Sequence, residues 1–292
     1  SFAPTGFETW INERLHRSHR NNAVFRTTLR NALHDLLATT ARNAGVEIRT
    51  ASRVVEIDPK GALTLADGSR READLVVAAD GVGSEMYSGL GFEREKILHN
   101  DGLLRVLFDR RGLGDGDWEA SKDFWSYEIA PLRILYSPCS PTHCYLVMMA
   151  SKDDAERLVV PPVFDGWIPS FPTLAHLLSR TPIEARCDRY GSIRLSSWVN
   201  DRAAVIGDAA HAMPSSHARG ANISIRNAVE LANALAAADD VSEALSRWQT
   251  EMRPKIAADQ EEAEYLASSR SLHKGFPKID LDDLVPANMK TN

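Results

Sequence analysis

The chain has 292 residues, 43% of them hydrophobic and 25% charged, which is close to the average for folded globular proteins. Its formal net charge is -6 and its Lys and Arg residues are dispersed, so the composition argues against a nucleic-acid-binding surface. No apolar run reaches the length of about 18 residues that suggests a membrane-spanning helix. We therefore expect a globular protein with neither a nucleic-acid nor a membrane partner.

Cysteine usage and the first residues indicate the setting of the protein. Cys139, Cys144 and Cys187 are odd in number and lack the spacing of a metal site, so we expect neither a disulfide framework nor bound metal. This usage favours a cytoplasmic location. Residues 1–6 carry no initiator Met, basic segment or apolar segment, which argues against a signal peptide and suggests the middle of a longer protein.

The first elements of the chain are a strand and a helix. Residues 7–18 weakly indicate a strand followed by a turn. Leucines then recur at helical spacing from Leu29 to Leu37, and Gly45 is a suitable residue to end a helix. We expect one helix between these positions.

Two kinds of strand follow this helix. Short alternating runs at 46–48, 54–57 and 63–65, separated by turn residues, predict a small antiparallel ribbon. The run LVVAA at 75–79 has no alternation, so we expect a strand buried on both faces of a layered α/β core. It ends at Asp80-Gly81, and ligands in such folds bind at the carboxyl ends of strands.

The remaining chain changes character twice. Residues 100–192 are rich in Trp, Tyr, Pro and short β-like runs, which predicts a separate antiparallel sheet. Residues 203–206 indicate a second buried strand, and 221–237 have a helical pattern. A last helical region at 241–272 is expected to break or restart near Pro254.

The strongest chemical signal is VIGDAAHAMP at 205–214, followed by Arg-Gly-Ala-Asn at 219–222. A strand delivers Gly207 where the backbone can approach a ligand, and Asp208 offers a carboxylate acceptor for sugar-like hydroxyls. A helix that begins at 220–222 can face negative charge. Together these features suit a ribityl chain and an electron-rich flavin edge.

Each motif also has a purely structural interpretation. Gly207-Asp208 could be an ordinary turn in which Asp208 caps the next helix. The segment ADLVVAADGVGS at 73–84 could be a simple exit from a strand with Asp80 solvated. Arg26, which we expect at the start of the first helix, could likewise be only a solvated helix-start residue.

The motifs nevertheless resemble those of the flavoprotein aromatic hydroxylases of the para-hydroxybenzoate hydroxylase type. In that family, the motif GD-A-A-H-x-x-P packs against the flavin. Its Asp, here Asp208, forms hydrogen bonds with the ribityl chain. The D-G motif, here Asp80-Gly81, contacts FAD and NAD(P)H, and the Arg of an R-x-x-L segment, here Arg26, reaches the cofactor. The resemblance implies the following cofactor-binding residues: Arg26, Asp80, Gly81, Gly207, Asp208, Pro214, Gly220, Ala221 and Asn222.

The resemblance implies a fold and a reaction. The fold is α/β (α+β), with FAD-binding Rossmann-like layers, an inserted antiparallel-sheet substrate domain and C-terminal helices. The reaction uses NAD(P)H to reduce FAD, which then transfers one oxygen atom from O2 to an electron-rich ring. No covalent nucleophile is implied, and we interpret His211 as a packed loop residue rather than a base.

A narrower resemblance concerns the substrate. Phe7-Glu8-Thr9-Trp10, RILYSPC at 133–139, Tyr145 and SRSLHKG at 269–275 are similar to bacterial oxygenases of vitamin B6 degradation within this family. There, residues matching Arg133 and Tyr145 line the pocket, which suits a small aromatic or N-heteroaromatic carboxylate. Alternatively, Arg133 forms a surface salt bridge or points out of an edge strand, and Tyr145 is a sheet-face aromatic.

Four positions depart from that narrower pattern and leave the substrate's identity and any ring opening undecided. Phe7 replaces a pocket Tyr, Ser215 replaces a Pro near the flavin, Arg219 replaces a Gln, and Tyr87 replaces an Arg. The resemblance implies these substrate-binding residues: Phe7, Arg133, Tyr145 and Ser215.

One family motif is absent from the sequence. No G-x-G-x-x-G follows a strand, although the family begins with a βαβ unit that uses this motif to bind the FAD pyrophosphate. A truncated chain, a unit supplied by a separate N-terminal fragment, and a natural remnant that no longer holds FAD are the alternatives. Assembly as a homo-oligomer is also left open.

The expected domains are an incomplete FAD-binding domain at 19–99 and 193–272, a substrate-binding sheet domain at 1–18 and 100–192, and a tail at 273–292. A flavin-free domain that binds aromatic acids or a partner protein is a second class of function. Halogenation or double-bond reduction is a third. Trp167-Ile168-Pro169 resembles the flavin-dependent halogenase signature but lacks its paired Trp spacing, so we expect Trp167 to anchor a loop in the core.

Overall fold

The computed structural model describes residues 1–20, 26–113 and 118–274. Within these ranges, the α-helices are α1 (Arg30–Asn43), α2 (Met86–Gly89), α3 (Ala175–Arg180), α4 (Asp208–His211), α5 (Gly220–Ala236) and α6 (Val241–Ser269). The strands are β1 (Gly6–Ile11), β2 (Arg14–Arg20), β3 (Val54–Asp58), β4 (Ala62–Leu65), β5 (Arg70–Glu72), β6 (Val76–Ala78), β7 (Arg94–Asp109), β8 (Ser121–Ser126), β9 (Leu132–Pro138), β10 (His143–Ser151), β11 (Arg186–Leu195), β12 (Val199–Asn200) and β13 (Ala203–Val205). The mixed α/β fold that the sequence predicts is confirmed.

Contacts within the chain define two compact units. Among the described residues, the sheet unit contains 1–20, 26–48, 100–113, 118–189 and 269–274, and the helix unit contains 49–99 and 190–268. The predicted cofactor-side domain included residues 19–48, which group with the sheet unit. Residues 275–292 of the predicted tail lie outside the described residues, and the functional assignment of the domains stays a prediction.

The sheet unit is built on a sheet with the strand order β11-β7-β10-β9-β8-β1-β2. Strands β7, β10, β9 and β8 pair antiparallel, as predicted for this region. Strand β1, which precedes this region in the sequence, pairs with β8 in parallel, so the complete sheet is mixed. A parallel pair needs a long connection, and β1 reaches β8 from far away in the sequence.

Side-chain alternation divides this sheet into two faces. The core face packs against Trp167, Phe171 and Leu178, all of them almost fully buried. Trp167 is therefore the core anchor that the sequence predicts. The core face comprises Leu104, Val106, Phe108, Phe124, Leu132, Ile134, Tyr136, Cys144, Leu146, Met148 and Ala150. The three cysteines are unpaired.

The helix unit contains two small sheets and its own core. Strands β12, β13 and β6 form one sheet, and β3, β4 and β5 form the predicted antiparallel ribbon. The core of this unit includes Val205, Leu231, Trp248 and Ile256, which come from β13, α5 and α6. Burying these side chains stabilises the fold by roughly 1.5–3 kcal/mol each.

Two of the strand predictions were wrong. Val77 in β6 is 38% exposed, so β6 is buried on one face rather than both. Val46 and Ile48 are also exposed and belong to no strand among the described residues. Apolar residues alone predict a buried strand, but burial also requires a neighbouring element on each face.

The last helix continues through Pro254, although the sequence predicts a break there. Its buried residues follow one stripe that crosses the proline, including Trp248, Met252, Ile256 and Gln260. Tertiary packing on both sides of Pro254 thus keeps the helix continuous despite the missing backbone hydrogen bond.

Pro254→Ala should therefore stabilise the protein. Pro254 is exposed, so alanine restores a backbone donor without disturbing the core, and we expect a gain of about 1–3 kcal/mol in the free energy of unfolding. Urea denaturation measures this gain, with the exposed neighbour Lys255→Ala as the control, expected to change stability by less than about 0.5 kcal/mol. A loss of stability in Pro254→Ala would contradict a continuous helix.

Candidate functional site

Two adjacent parallel strands end in the two motifs that the sequence singled out. Strand β13 pairs in parallel with β6, with Val205 opposite Ala78, and the Ile206 amide donates to the Ala78 carbonyl at 2.9 Å. Gly207-Asp208 and Asp80-Gly81 therefore leave the same edge of one sheet. This edge is the usual ligand-binding position of a layered α/β fold.

Gly207 has a backbone conformation that favours glycine. Its φ of 62° and ψ of -149° lie in a region that is almost restricted to this residue, and it is the N-cap of α4. A Cβ added to Gly207 would meet only Ser224, at 3.8 Å. The backbone at this strand end is thus open to close approach by a ligand.

Asp208 and Asp80 both carry exposed carboxylates at this edge. Neither forms a hydrogen bond or ion pair with another residue in the described part of the chain. The alternative in which Asp208 caps the helix is wrong, because Gly207 occupies the cap position and no side-chain cap bond forms. Gly81 beside Asp80 has a φ of 86° and open space around it.

Helix α5 begins at Gly220 after a 3₁₀ turn at Ser215–His217. Pro214 is buried, whereas Ser215, Ala221 and Asn222 are exposed. The Arg219 guanidinium lies 3.7 Å from Asp259, so this side chain is partly held by helix α6. The first turn of a helix of this length has unsatisfied backbone N–H groups and positive partial charge.

His211 is a packed residue, as the sequence predicts. It is 1% exposed, its Nε2 lies 3.1 Å from Asn227 Nδ2, and its ring contacts Trp198 at 5.1 Å between centroids. Burial lowers the pKa of His211 to about 4. Its imidazole is consequently neutral near pH 7 and supports the loop that carries Asp208.

Arg26 does not lie on the first helix, because α1 begins at Arg30. Its Nε donates to Ser1 Oγ at 3.1 Å, and its side chain is exposed. The neighbouring Thr27 pairs with Phe2 in an isolated bridge. The structure therefore connects Arg26 to the first residues of the chain, and its cofactor contact stays a prediction.

Strand register brings three of the predicted substrate residues to one face of the large sheet. Phe7 lies opposite Ser121, Arg133 lies opposite both Trp125 and Met149, and Tyr145 has the same parity as Met149. This second face is opposite the core face. It comprises Phe7, Thr9, Ser121, Asp123, Trp125, Arg133, Tyr145 and Met149.

Arg133 is held in an ion pair on this face. Its Nε and Nη2 donate to the two carboxylate oxygens of Asp123 at 2.7 and 2.9 Å, and its guanidinium lies 4.4 Å from the Trp125 ring centroid. The Asp123 side chain is 0% exposed and that of Arg133 is 12% exposed. Strand β9 lies between β8 and β10, so neither the surface salt bridge nor the edge-strand alternative is correct.

Sequence analysis missed three residues that support these sites. Asp123 binds Arg133, Asn227 contacts His211, and Gln260 Nε2 donates to the carbonyls of Ile193 and Ala212 at 2.8 and 2.9 Å. No local pattern marks them, because each partner is distant in the sequence.

The hydrogen-bond acceptors and donors at the sheet edge fit a flavin cofactor. Two carboxylates can accept hydrogen bonds from ribityl hydroxyls, Gly207 permits close backbone approach, and the start of α5 offers amide donors. Among residues 1–20, 26–113 and 118–274, no cluster of three or more His, Cys, Asp or Glu side chains could hold a metal ion. Within the same ranges, no helix is long and apolar enough to span a membrane.

The chain belongs to the FAD binding domain family, whose sequence profile matches residues 13–260. A solved tetrameric form of 2-methyl-3-hydroxypyridine-5-carboxylic acid oxygenase has 37% identity and a TM-score of 0.87. That comparison covers 94% of this chain and 76% of the oxygenase. It confirms both the fold and the narrower resemblance to pyridine-carboxylate oxygenases.

The chain is also similar to two enzymes that are named for other ring substrates or products. The 2-heptyl-3-hydroxy-4(1H)-quinolone synthase of Mycobacteroides abscessus is 36% identical over 236 residues, which cover 79% of this chain and 62% of that protein. The 6-hydroxynicotinate 3-monooxygenase of Bordetella bronchiseptica is 27% identical over 221 residues, which cover 72% of this chain and 56% of that protein. The chain thus spans less than two thirds of the length of these relatives.

Gly207→Ala should destabilise the protein through backbone strain. The site has space for a methyl group, but the positive φ of Gly207 is unfavourable for alanine, so we expect a loss of about 1–3 kcal/mol in unfolding free energy. Gly83→Ala is the matched control, because Gly83 also has open space but no positive φ. Equal unfolding midpoints in denaturant for the two variants would contradict this account.

Burial of His211 should make the free energy of unfolding depend on pH. The unfolded imidazole takes up a proton below about pH 6.5, whereas the buried one resists protonation down to about pH 4. Stability from this group is therefore present above pH 6.5 and is lost on acidification towards pH 4, by up to about 3 kcal/mol. Denaturation across this pH range should show a smaller dependence in His211→Gln, while the exposed control His176→Gln should match the wild type.

Proposed function

We propose that this protein is a flavin-dependent monooxygenase that hydroxylates an aromatic or N-heteroaromatic ring with NAD(P)H and O2. The observation that carries the proposal is the parallel pairing of β13 and β6, which brings Gly207-Asp208 and Asp80-Gly81 to one sheet edge within an FAD binding domain. Bound FAD would supply the redox chemistry that places one oxygen atom of O2 on the ring.

The helix unit would hold the cofactor through a small set of groups. Asp208 would accept hydrogen bonds from the ribityl hydroxyls, and the backbone at Gly207 would lie against the cofactor without a Cβ in the way. Gly220 and Ala221, at the start of α5, would present amide donors to the electron-rich edge of the flavin. Asp80 and Gly81 would contribute a second carboxylate and an open turn.

The sheet unit would bind and orient the ring. Phe7, Trp125 and Tyr145 lie on one face of the sheet, where Phe7 and Trp125 are buried and Tyr145 is half-buried, so Tyr145 is the aromatic side chain that a planar substrate would reach. These groups position the ring and exclude water, and none needs to act as a covalent nucleophile.

The substrate's charge is the finer part of this proposal. A ring carboxylate, as in the pyridine-carboxylate oxygenase resemblance, requires Arg133 to bind an anion, and Arg133 already binds Asp123. We therefore propose a planar aromatic substrate without restricting it to ring acids. Ring opening, a homo-oligomeric state, a separate N-terminal fragment and a cytoplasmic location stay predictions.

A flavin-free domain that binds aromatic acids or a partner protein is the competing function. An absorbance spectrum of the purified protein, recorded before and after addition of FAD and dialysis, separates the two. A retained band at about 450 nm supports the flavoprotein. Protein that stays colourless at saturating FAD supports the flavin-free alternative.

Asp208→Asn should weaken FAD retention by about tenfold or more, because the neutral amide is a poorer acceptor for the ribityl hydroxyls. Equilibrium dialysis followed by flavin fluorescence measures the dissociation constant. Asp239→Asn, an exposed aspartate in the loop after α5, is the control and should bind FAD like the wild type. Equal affinities in both variants would remove the ribityl role from Asp208.

A further inference from the structure

We infer that Asp80 is a site of spontaneous modification, at which the Asp80-Gly81 peptide rearranges to isoaspartate through a cyclic imide. The reaction needs no enzyme and no co-reactant other than water. Its effect on FAD rests on the proposed function, because Asp80 and Gly81 belong to the proposed cofactor edge. Chemical ageing of this one residue is therefore expected to weaken FAD retention.

The rearrangement has two balanced steps. The Gly81 backbone nitrogen attacks the side-chain carboxyl carbon of Asp80, a C–N bond forms, and the nitrogen's proton leaves with the carboxyl OH as one water molecule. Water then adds to one of the two imide carbonyls and breaks its C–N bond, which gives aspartate or isoaspartate. In isoaspartate the backbone runs through the former side chain, so the chain gains one methylene group and the free carboxylate sits on the α-carbon. Nothing is oxidised or reduced.

The backbone after β6 meets the requirements of the first step. Asp80 is exposed, and its carboxylate binds no other residue in the described part of the chain. The Gly81 amide likewise donates to none of the described residues. Gly81 has a φ of 86° and no atom within 4 Å of an added Cβ, so no side chain shields the attacking nitrogen. Val82 is 45% exposed, which leaves the loop open to the water that hydrolyses the imide.

A second Ala-Asp-Gly sequence in the helix unit provides a matched comparison. It lies at 66–68, in the turn between β4 and β5, whereas the first lies at 79–81. Asp67 is exposed like Asp80, and Gly68 has a φ of 84° with open space around it. The two sites therefore share their preceding residue, their exposure and their glycine conformation.

Hydrogen bonds distinguish the two sites. The Ser69 amide donates to Asp67 Oδ1 at 2.8 Å, and the Gly68 amide donates to the Leu65 carbonyl at 2.9 Å. Hydrogen bonding by Ser69 also holds the pKa of Asp67 below its ordinary value, which leaves less of the neutral carboxyl that can lose OH. Both bonds must break before the imide forms, so isomerisation at Asp67 should be slower than at Asp80 by about tenfold or more.

Isoaspartate at position 80 changes the proposed cofactor edge in two ways. The carboxylate moves to the α-carbon, and the additional methylene group lengthens the turn before Gly81. A hydrogen-bond acceptor of the cofactor is thereby displaced, and the dissociation constant for FAD should rise by about tenfold. Bound FAD should in turn slow the rearrangement, because a hydrogen bond to Asp80 restrains the reacting carboxyl group.

The test follows both sites in one protein. The full chain, shown to be folded by circular dichroism, is incubated in mildly acidic buffer with and without saturating FAD. Isoaspartate at each site is then quantified by peptide mass spectrometry with electron-based fragmentation. Without FAD, isoaspartate should accumulate at Asp80 about tenfold faster than at Asp67, or more. In the chain unfolded by urea the two rates should agree within about threefold, because the local sequence is the same.

Asp80→Glu is the matched variant for the effect on FAD. Its carboxylate would have to close a larger, six-membered imide, so no isoaspartate should form at this position. Equilibrium dialysis gives the dissociation constant for FAD before and after the incubation. The constant of the wild type should rise about tenfold as Asp80 converts, whereas that of Asp80→Glu should keep its own starting value within about threefold.

The outcomes separate this inference from the proposed function. Equal rates at Asp80 and Asp67 in the folded chain overturn the inference, and so does an unmodified Asp80 in a folded chain that forms isoaspartate there when unfolded. Conversion of Asp80 without a change in FAD affinity leaves the modification standing and removes Asp80 from the proposed cofactor site. An equal loss of affinity in Asp80→Glu overturns the link between the modification and FAD.

Discussion

The parallel pairing of β13 with β6 is the constraint on which the helix unit depends. Each strand spans only three residues, yet their pairing brings two glycine-aspartate motifs from distant parts of the sequence to one edge. The carboxylates of Asp80 and Asp208 are exposed at that edge, whereas the strands that precede them are largely buried. A small, well-packed sheet can therefore present a polar and accessible edge, because polar groups concentrate where the backbone leaves the core.

Helices α5 and α6 stabilise this edge from within the same unit. Asn227 on α5 contacts His211, Trp248 on α6 packs beside Trp198, and Gln260 on α6 binds the Ala212 carbonyl. These contacts satisfy the backbone of the loop after β13 and exclude water beneath it. A neutral buried histidine is part of the arrangement, because an imidazolium without a partner would be unfavourable in the same position.

Alternation of side chains along the strands gives the large sheet one apolar face and one face with charged and polar groups. One face provides the hydrophobic core of the sheet unit, and the other carries Asp123, Arg133, Trp125 and Ser121. Since successive side chains of a strand point to opposite faces, a single register places every member of each set. The polar face needs its charges to compensate one another, because burial removes the water that would otherwise screen them.

The sequence by itself determined the elements and motifs whose signals are local. Helical spacing predicted α1 and α5, and the buried runs before Asp80 and Asp208 predicted the two strands that end at one sheet edge. Only the tertiary structure decided that α6 continues through Pro254 and that Arg133 binds Asp123. The physical reason is that packing against another element and pairing across strands involve residues that are distant in the sequence, so no local pattern reports them.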